Sequence, residues 1–267
     1  MGILNVTPDS FSDGGLYLDT EAAVAQAMAM EAAGAHIIDV GGESTRPGSA
    51  GIPADEEMRR ILPVLKKLRG RIRIPISVDT SKAEVAEAAA DAGAEILNDV
   101  TGLRNDPRLA DVARQRKLGL ILMHMHGVPR TMQTAPFARS VIRDVTTGLR
   151  GSVVTALNAG VAKRQIVIDP GIGFGKSHEQ NCEIIQQLPV LAKLGYPLML
   201  GTSRKSFLGT ALKHSVRTDR IWGTAATVAA SVLQGAHIVR VHDVVEMAQV
   251  ARVADVLRSP ELLRSSR

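Results

Sequence analysis

The chain has 267 residues, 45% hydrophobic and 22% charged, with a net charge of +5. Cys182 is its one cysteine, which excludes an intramolecular disulfide and a cysteine-rich metal site and makes a reducing cytoplasm the expected setting. The basic balance favours anionic partners, but lysines and arginines are scattered and aromatics make up only 3%, which argues against nucleic acid. No apolar run reaches the roughly 18 residues of a membrane span, and no secretory leader opens the sequence.

Short apolar runs alternate with longer Ala- and Leu-rich helical stretches. Met1–Leu4 reads as the first strand and Glu21–Ala33 as the helix behind it. Ala35–Val40 and Asp55–Leu68 follow, then Ile72–Val78 and Lys82–Ala92, Glu95–Leu97 and Asp106–Arg116, and Leu118–Met123 and Arg139–Ala159. The series ends with Gln165–Ile168 and His178–Lys193, Tyr196–Leu200 and Arg217–Gln234, and His237–Val241 and Val244–Leu257. Glycines 34, 93, 160 and 235 follow helices directly before a strand, where a left-handed C-cap is needed. Eight such units predict an α/β fold, a single (β/α)8 TIM barrel spanning 1–267, with the active site at the C-terminal ends of the strands. An open doubly wound sheet would carry a glycine fingerprint in its first βα turn; that turn here reads NVTPDSF. The first strand begins at Met1, so the sequence is compatible with a trimmed N-terminus, and closure of the ring at that edge is a question for the structure.

Polar residues follow every apolar run: LNVTPDSF (4–11), VGGESTRPG (40–48), SVDTS (77–81), LNDV (97–100), MHMHG (123–127), IDPGIGFGK (168–176), GTSRKS (201–206) and VRVHD (239–243). Each has an ordinary structural reading on its own. Asp79, Asn98 and Asp169 would serve as helix caps, Asn5 as a turn former, and His242 as a core histidine. Eight such ends converging on one mouth favour a site. Arg240 and His242 are two apart on a strand, so they face the same side and suit a phosphate. GIGFGK lacks the spacing of a nucleotide-binding P-loop. His124 and His126 lack the further ligands that zinc requires and read as loop or pocket-rim residues.

In this order, NVTPDSF, GGESTRPG, SVDTS, Asn98-Asp99, DPGIGFGK, SRKS and RVHD resemble the dihydropteroate synthases of the pterin-binding barrel family, from residue 2 to residue 243. The resemblance implies condensation of 7,8-dihydropterin-6-ylmethyl diphosphate with 4-aminobenzoate, by a dissociative displacement that releases diphosphate. It implies a pterin site of Asp79, Asn98, Met123, Asp169 and Lys205, with Asp169 accepting the ring N–H and 2-amino group together. It implies a diphosphate site of Asn5, Thr45, Arg240 and His242, with Asn5 also a ligand of a Mg²⁺ cofactor. The 4-aminobenzoate site would comprise Phe11, Thr45, Arg46, Pro47, Phe174, Lys205 and Ser206, which sulfonamides would share. Catalytic roles would fall to Asp79, Asp169, Lys205, Arg240 and His242, in a homodimer.

Three rivals are weaker. A methyltetrahydrofolate-binding domain of a corrinoid methyltransferase has no need of SRKS or of Arg240 with His242. An aldolase using Lys205 needs a desolvated, neutral lysine, and Arg204 adjoins it. A non-catalytic pterin-binding module would be expected to have lost Asn5, Arg240 or His242.

Overall fold

The computed structural model describes residues 1–7, 15–44, 49, 51–127, 132, 139–213 and 220–263, the side chains of 15–19 excepted. Its elements alternate as β1 (Gly2–Asn5), α1 (Gly15–Ala32), β2 (Ile38–Gly41), α2 (Ala54–Leu68), β3 (Ile76–Asp79), α3 (Ala83–Asp91), β4 (Ile96–Asp99) and α4 (Arg108–Arg116). They continue as β5 (Gly119–Met123), α5 (Val141–Asn158), β6 (Ile166–Asp169), α6 (His178–Gln186), α7 (Leu188–Ala192), β7 (Met199–Leu200), α8 (Ser206–Leu212), α9 (Ile221–Leu233), β8 (Ile238–Val239) and α10 (Val244–Arg258).

Strands β1 to β6 form one parallel sheet in sequence order, and β7 pairs with β8. Single parallel bridges, Gly2 to Val241 and Ile168 to Leu198, join the two sheets at both edges. At the first seam Ile3 N–H donates to Val241 O (2.9 Å) and Val241 N–H to Met1 O (3.0 Å); at the second, Ile168 N–H donates to Pro197 O (3.0 Å). The strands therefore close into a ring, and they close at the first strand.

The reason lies in the apolar runs. A parallel strand covered by helices on one face and by core on the other is apolar on both. Leu4, Ile38, Val40, Val78, Leu97, Leu120, Leu122 and Ile168 are buried accordingly, against Ile61, Leu65 and Leu68 of α2 and Leu109 of α4. Gly34, Gly93, Gly160 and Gly235 all have positive φ, between 88° and 110°, as C-caps at helix ends require.

Several boundaries differ from the sequence expectation. Strand β3 starts at Ile76 rather than Ile72, after Pro75, and β7 keeps only two residues of the expected five. Proline has no N–H for a ladder, and at β7 Leu198 N–H donates to the His237 ring instead (3.2 Å). The expected helix over 178–193 breaks at Gln187, because Pro189 stands in the first turn of α7 and cannot continue the α6 ladder. Helix α8 is an addition; seven residues are too few for a readable helical period. Helix α1 begins at Gly15, ahead of Glu21.

Candidate active site

The C-terminal strand ends surround a cavity of about 310 Å³. Asn5, Asp79, Asn98, Met123, Asp169, Phe174, Lys205, Arg240 and His242 all line it. Most of them lie on or directly after the end of a strand, and Phe174 and Lys205 come from the loops that follow β6 and β7. Ser206 is exposed as the first residue of α8 and is not among the lining residues. Phe11, Thr45, Arg46 and Pro47 lie outside the described residues.

The floor of the cavity is a charge network. Arg240 Nε donates to Asp39 Oδ2 (2.6 Å), and its Nη2 donates to Asp79 Oδ2 (2.9 Å). Asp39 Oδ2 also accepts from Asn98 Nδ2 (3.0 Å). Asp39 is fully buried in β2, and the sequence reading missed it. Its signal was a charge inside the apolar run Ile37-Ile38-Asp39-Val40, since an Asp is almost never fully buried unless it is paired. Burial pushes Asp79 up to about 7, with Arg240 pulling it down and Asp39, Glu57 and Asp99 pushing it further up. Burial works against the charge of Arg240, but Asp39 and Asp79 overcome it and raise its pKa. Gly41 leaves room here: a side-chain carbon at that position would stand 3.9 Å from Asp79 Oδ2 and 4.0 Å from Asn5 Oδ1.

The opposite wall comes from β6 and the Gly-rich loop. Asp169 Oδ1 accepts Gly171 N–H (2.7 Å). Burial pushes this carboxyl up to about 6, opposed by that N–H and by Lys205, Lys176 and Arg240. Lys205 Nζ lies 4.2 Å from the centre of the Phe174 ring, and Phe174 packs on Val100, Met123, Met125 and Met132. Arg220 Nη1 donates to the carbonyls of Arg204 and Lys205 (3.1 and 3.2 Å) and so holds the lysine's backbone. Arg204 adopts φ 59° and pairs with Asp243 through Nε (3.1 Å). His242 Nδ1 lies 2.9 Å from Ser203 Oγ, which also accepts the His242 backbone N–H (3.2 Å); this fixes the imidazole beside Arg240.

Lys176 is a second residue that the sequence reading left without a role. It is 2% exposed, and its Nζ donates to Phe174 O (2.9 Å) and His124 O (3.2 Å), tying the β5 and β6 loops together. Burial pulls it down to about 7. His124 lies in the loop after β5, as expected, but is buried rather than on the rim, and burial together with Lys176 and Arg104 pushes it down to about 2. His126 Nδ1 lies 3.0 Å from Asp144. Among the described residues no three His, Cys, Asp or Glu side chains gather as metal ligands.

A closed (β/α)8 ring with carboxylates and an amide on its floor and an Arg/His pair at its last strand defines a barrel enzyme for a polar, anionic ligand. The sequence matches the family model described as pterin binding enzyme over residues 1–242, and the chain belongs to that family. It is 48% identical over 247 residues to the dihydropteroate synthase of Synechocystis sp., covering 92% of this chain and 86% of that one. The structure is similar to a Clostridium difficile dihydropteroate synthase solved in the presence of pteroic acid, with TM-score 0.90, 45% identity, and 96% and 95% of the two chains covered. It is also similar to the Xanthomonas albilineans dihydropteroate synthase solved with 4-aminobenzoic acid, with TM-score 0.91, 40% identity, and 97% and 92% covered.

Proposed function

We propose that this chain, as one pterin-binding barrel domain, is a dihydropteroate synthase. It condenses 7,8-dihydropterin-6-ylmethyl diphosphate with 4-aminobenzoate to give 7,8-dihydropteroate and diphosphate. The observation that carries the reading is the meeting of Asp79, Asn98, Asp169 and Lys205 with Arg240 and His242 in one cavity.

The chemistry follows from the charges. The C–O bond to diphosphate breaks and its electron pair leaves with the diphosphate. The arylamine lone pair then forms the new C–N bond and the nitrogen releases a proton. Ionised Asp169 accepts the paired N–H donors of the pterin, and Lys205 donates to its carbonyl and N5. Met123 walls the ring, and Asp79 and Asn98 pair with its far edge. Arg240 and His242 bind the departing diphosphate; donors already aimed at developing charge need no reorganisation when it forms. Phe174 and Lys205 receive the aminobenzoate together with Ser206, Phe11, Thr45, Arg46 and Pro47, and Thr45 also reaches the diphosphate. The C–O cleavage leaves a cation on the pterin methylene carbon, and keeping water from it until the arylamine attacks prevents its hydrolysis.

Magnesium fits in one mode. Mg²⁺ takes oxygen ligands and usually keeps waters and substrate phosphates rather than a full protein cage. Asn5 lines the cavity beside the space that Gly41 leaves open, so its amide oxygen would hold the ion. When bound, the ion would neutralise charge on the diphosphate.

A homodimer is the proposed assembly, supported by apolar side chains left in solvent on α9 and α10: Trp222, 79% exposed, with Val245, Val253 and Leu257. A cytoplasmic setting is supported by the single cysteine, and no described helix is long and apolar enough to cross a membrane.

The test is direct. Purified protein with Mg²⁺ and both substrates should release diphosphate and accumulate dihydropteroate. No release above background in a protein that is folded would overturn the reading.

A further inference from the structure

Strands β7 and β8 share only two residue pairs, Met199 with Ile238 and Leu200 with Val239. Their backbone pairing runs out where Arg240 N–H donates to Leu200 O (2.9 Å). Beyond that point side chains carry the pairing. Ser203 Oγ meets His242 at its backbone N–H (3.2 Å) and at its Nδ1 (2.9 Å), and Arg204 Nε donates to Asp243 Oδ2 (3.1 Å). Helix α9 holds the serine from both sides. Thr202 Oγ1 lies 2.9 Å from Thr227 Oγ1, and Arg204 N–H donates to the buried Thr224 Oγ1 (3.2 Å). Ser203 and His242 both line the cavity.

A hydroxyl has one hydrogen and two lone pairs. One lone pair of Ser203 takes the His242 backbone N–H. Two arrangements then satisfy the contact with Nδ1. In one, the serine accepts a second time, from Nδ1–H, and the neutral ring carries a bare lone pair on Nε2. In the other, the serine donates to Nδ1 and the ring hydrogen sits on Nε2; the bond made by one ring nitrogen decides what the other carries. Two arguments favour the second. An oxygen that already accepts a hydrogen bond is a stronger donor. The phosphate oxygens proposed to meet this ring would repel a lone pair and accept from an N–H.

We propose that Ser203 is a positioning residue that acts on the reaction through His242. Its hydroxyl donates to Nδ1, keeps the ring proton on Nε2, and so presents the departing diphosphate with an N–H already in place when charge develops. This inference rests on the diphosphate site proposed above and deepens it, since it assigns the donor atom and the residue that sets it.

Two measurements test it. Long-range ¹H–¹⁵N correlation spectra of the histidine-labelled protein read the tautomer directly, with the His242 signals identified by their loss in His242→Ala. At pH ~8, above the ordinary imidazole range, Nε2 should carry the proton and Nδ1 should not. A ring protonated on Nδ1, alone or on both nitrogens, overturns the proposal. The second measurement is calorimetry of Ser203→Ala, His242→Ala and the double variant with inorganic diphosphate at fixed Mg²⁺, and separately with 6-hydroxymethyl-7,8-dihydropterin.

Ser203→Ala should weaken diphosphate binding by about tenfold, as loss of a hydrogen bond serving a charged ligand does. Its pterin affinity should stay within about twofold of wild type, and on top of His242→Ala it should cost less than about twofold more, the non-additivity of residues that act as one unit. A full additive loss would mean that Ser203 meets the diphosphate itself, and overturns the proposal. So does a Ser203→Ala protein that binds diphosphate like wild type. Loss of pterin binding alongside would mark Ser203 as a support of the fold and overturns it too. Failure of the functional reading looks different: the wild-type protein would then bind no diphosphate, while its spectrum would still report the tautomer.

Discussion

Lys205 Nζ sits over the face of Phe174, 4.2 Å from the ring centre, and its stem passes Gly173, where an added side-chain carbon would come within 3.0 Å of Lys205 Cδ. The ring thus orients the cation for which roles on both the pterin and the aminobenzoate are proposed. A cation over an aromatic face is worth about 0.5–2 kcal/mol. Phe174→Leu should therefore raise the KM for 4-aminobenzoate by roughly three- to tenfold, and Phe174→Tyr should largely preserve it. Steady-state kinetics with the pterin substrate saturating will show this; an unchanged KM in the leucine variant would count against the contact.

Gly171 has φ +70°, and a side-chain carbon there would lie 1.9 Å from His124 O. Gly171→Ala must push apart the β5 and β6 loops and disturb the N–H that Asp169 accepts, and a cost above about 3 kcal/mol is expected for such a backbone clash. Gly235 also has positive φ, +103°, but faces open space. Gly235→Ala should cost only the conformational term, roughly 1–2 kcal/mol. Urea unfolding of the two variants should separate them; similar costs would show that the close approach at His124 is not what demands glycine.

Burial lifts the Asp169 carboxyl to about 6, above its ordinary 3.8. Between these values the native protein keeps a proton that the unfolded chain has lost, so this group makes stability fall as pH rises across that window. Donors from a bound pterin favour the carboxylate. Pterin binding near pH ~6 should therefore release protons, and much less so near pH ~8. Calorimetry in buffers of different protonation enthalpy reads the release directly. Asp169→Asn should reduce it, with the remainder due to Asp79, which burial lifts to about 7. Proton uptake instead of release would contradict the assignment.

Lys176 titrates with the opposite slope. Burial brings its native pKa to about 7 from 10.5. Between those values the unfolded chain holds a proton that the native state lacks, so its contribution rises with pH and is lost as pH falls through 7. Relative to Lys176→Met, the wild-type protein should gain stability on the order of a few kcal/mol between pH ~6.5 and ~9.5. Parallel slopes in urea unfolding across that range would mean that Lys176 is not titrating in the native core.

Much of this was legible beforehand for a physical reason: strand ends in a parallel barrel are where apolar runs stop, and Asn5, Asp79, Asn98, Asp169, Lys205, Arg240 and His242 sit at those stops. Asp39 and Lys176 were not legible. Asp39 falls inside a strand run, where counting apolar positions absorbs a single charge. Lys176 closes a Gly-rich loop, and its meaning depends on which carbonyls it reaches from 52 and 2 residues away. Short elements hid as well. Helix α8 has fewer residues than a period needs, and prolines 75 and 197 trimmed strands that composition alone would extend.

The ring is sealed by one bridge at each edge of the β7–β8 pair, and that has a consequence for how the barrel finds its register. Asp39 and Asp79 belong to the six-strand arc, and their counter-ion Arg240 arrives with the closing pair. Until the ring shuts, the arc holds two carboxylates that can be buried only at high cost. A slip of one residue in β8 would turn Arg240 to the other face of the strand and leave both acids unmatched. With so few backbone bonds at the seams, electrostatic matching acts as the proofreader of closure, and the floor of the site doubles as the lock of the barrel.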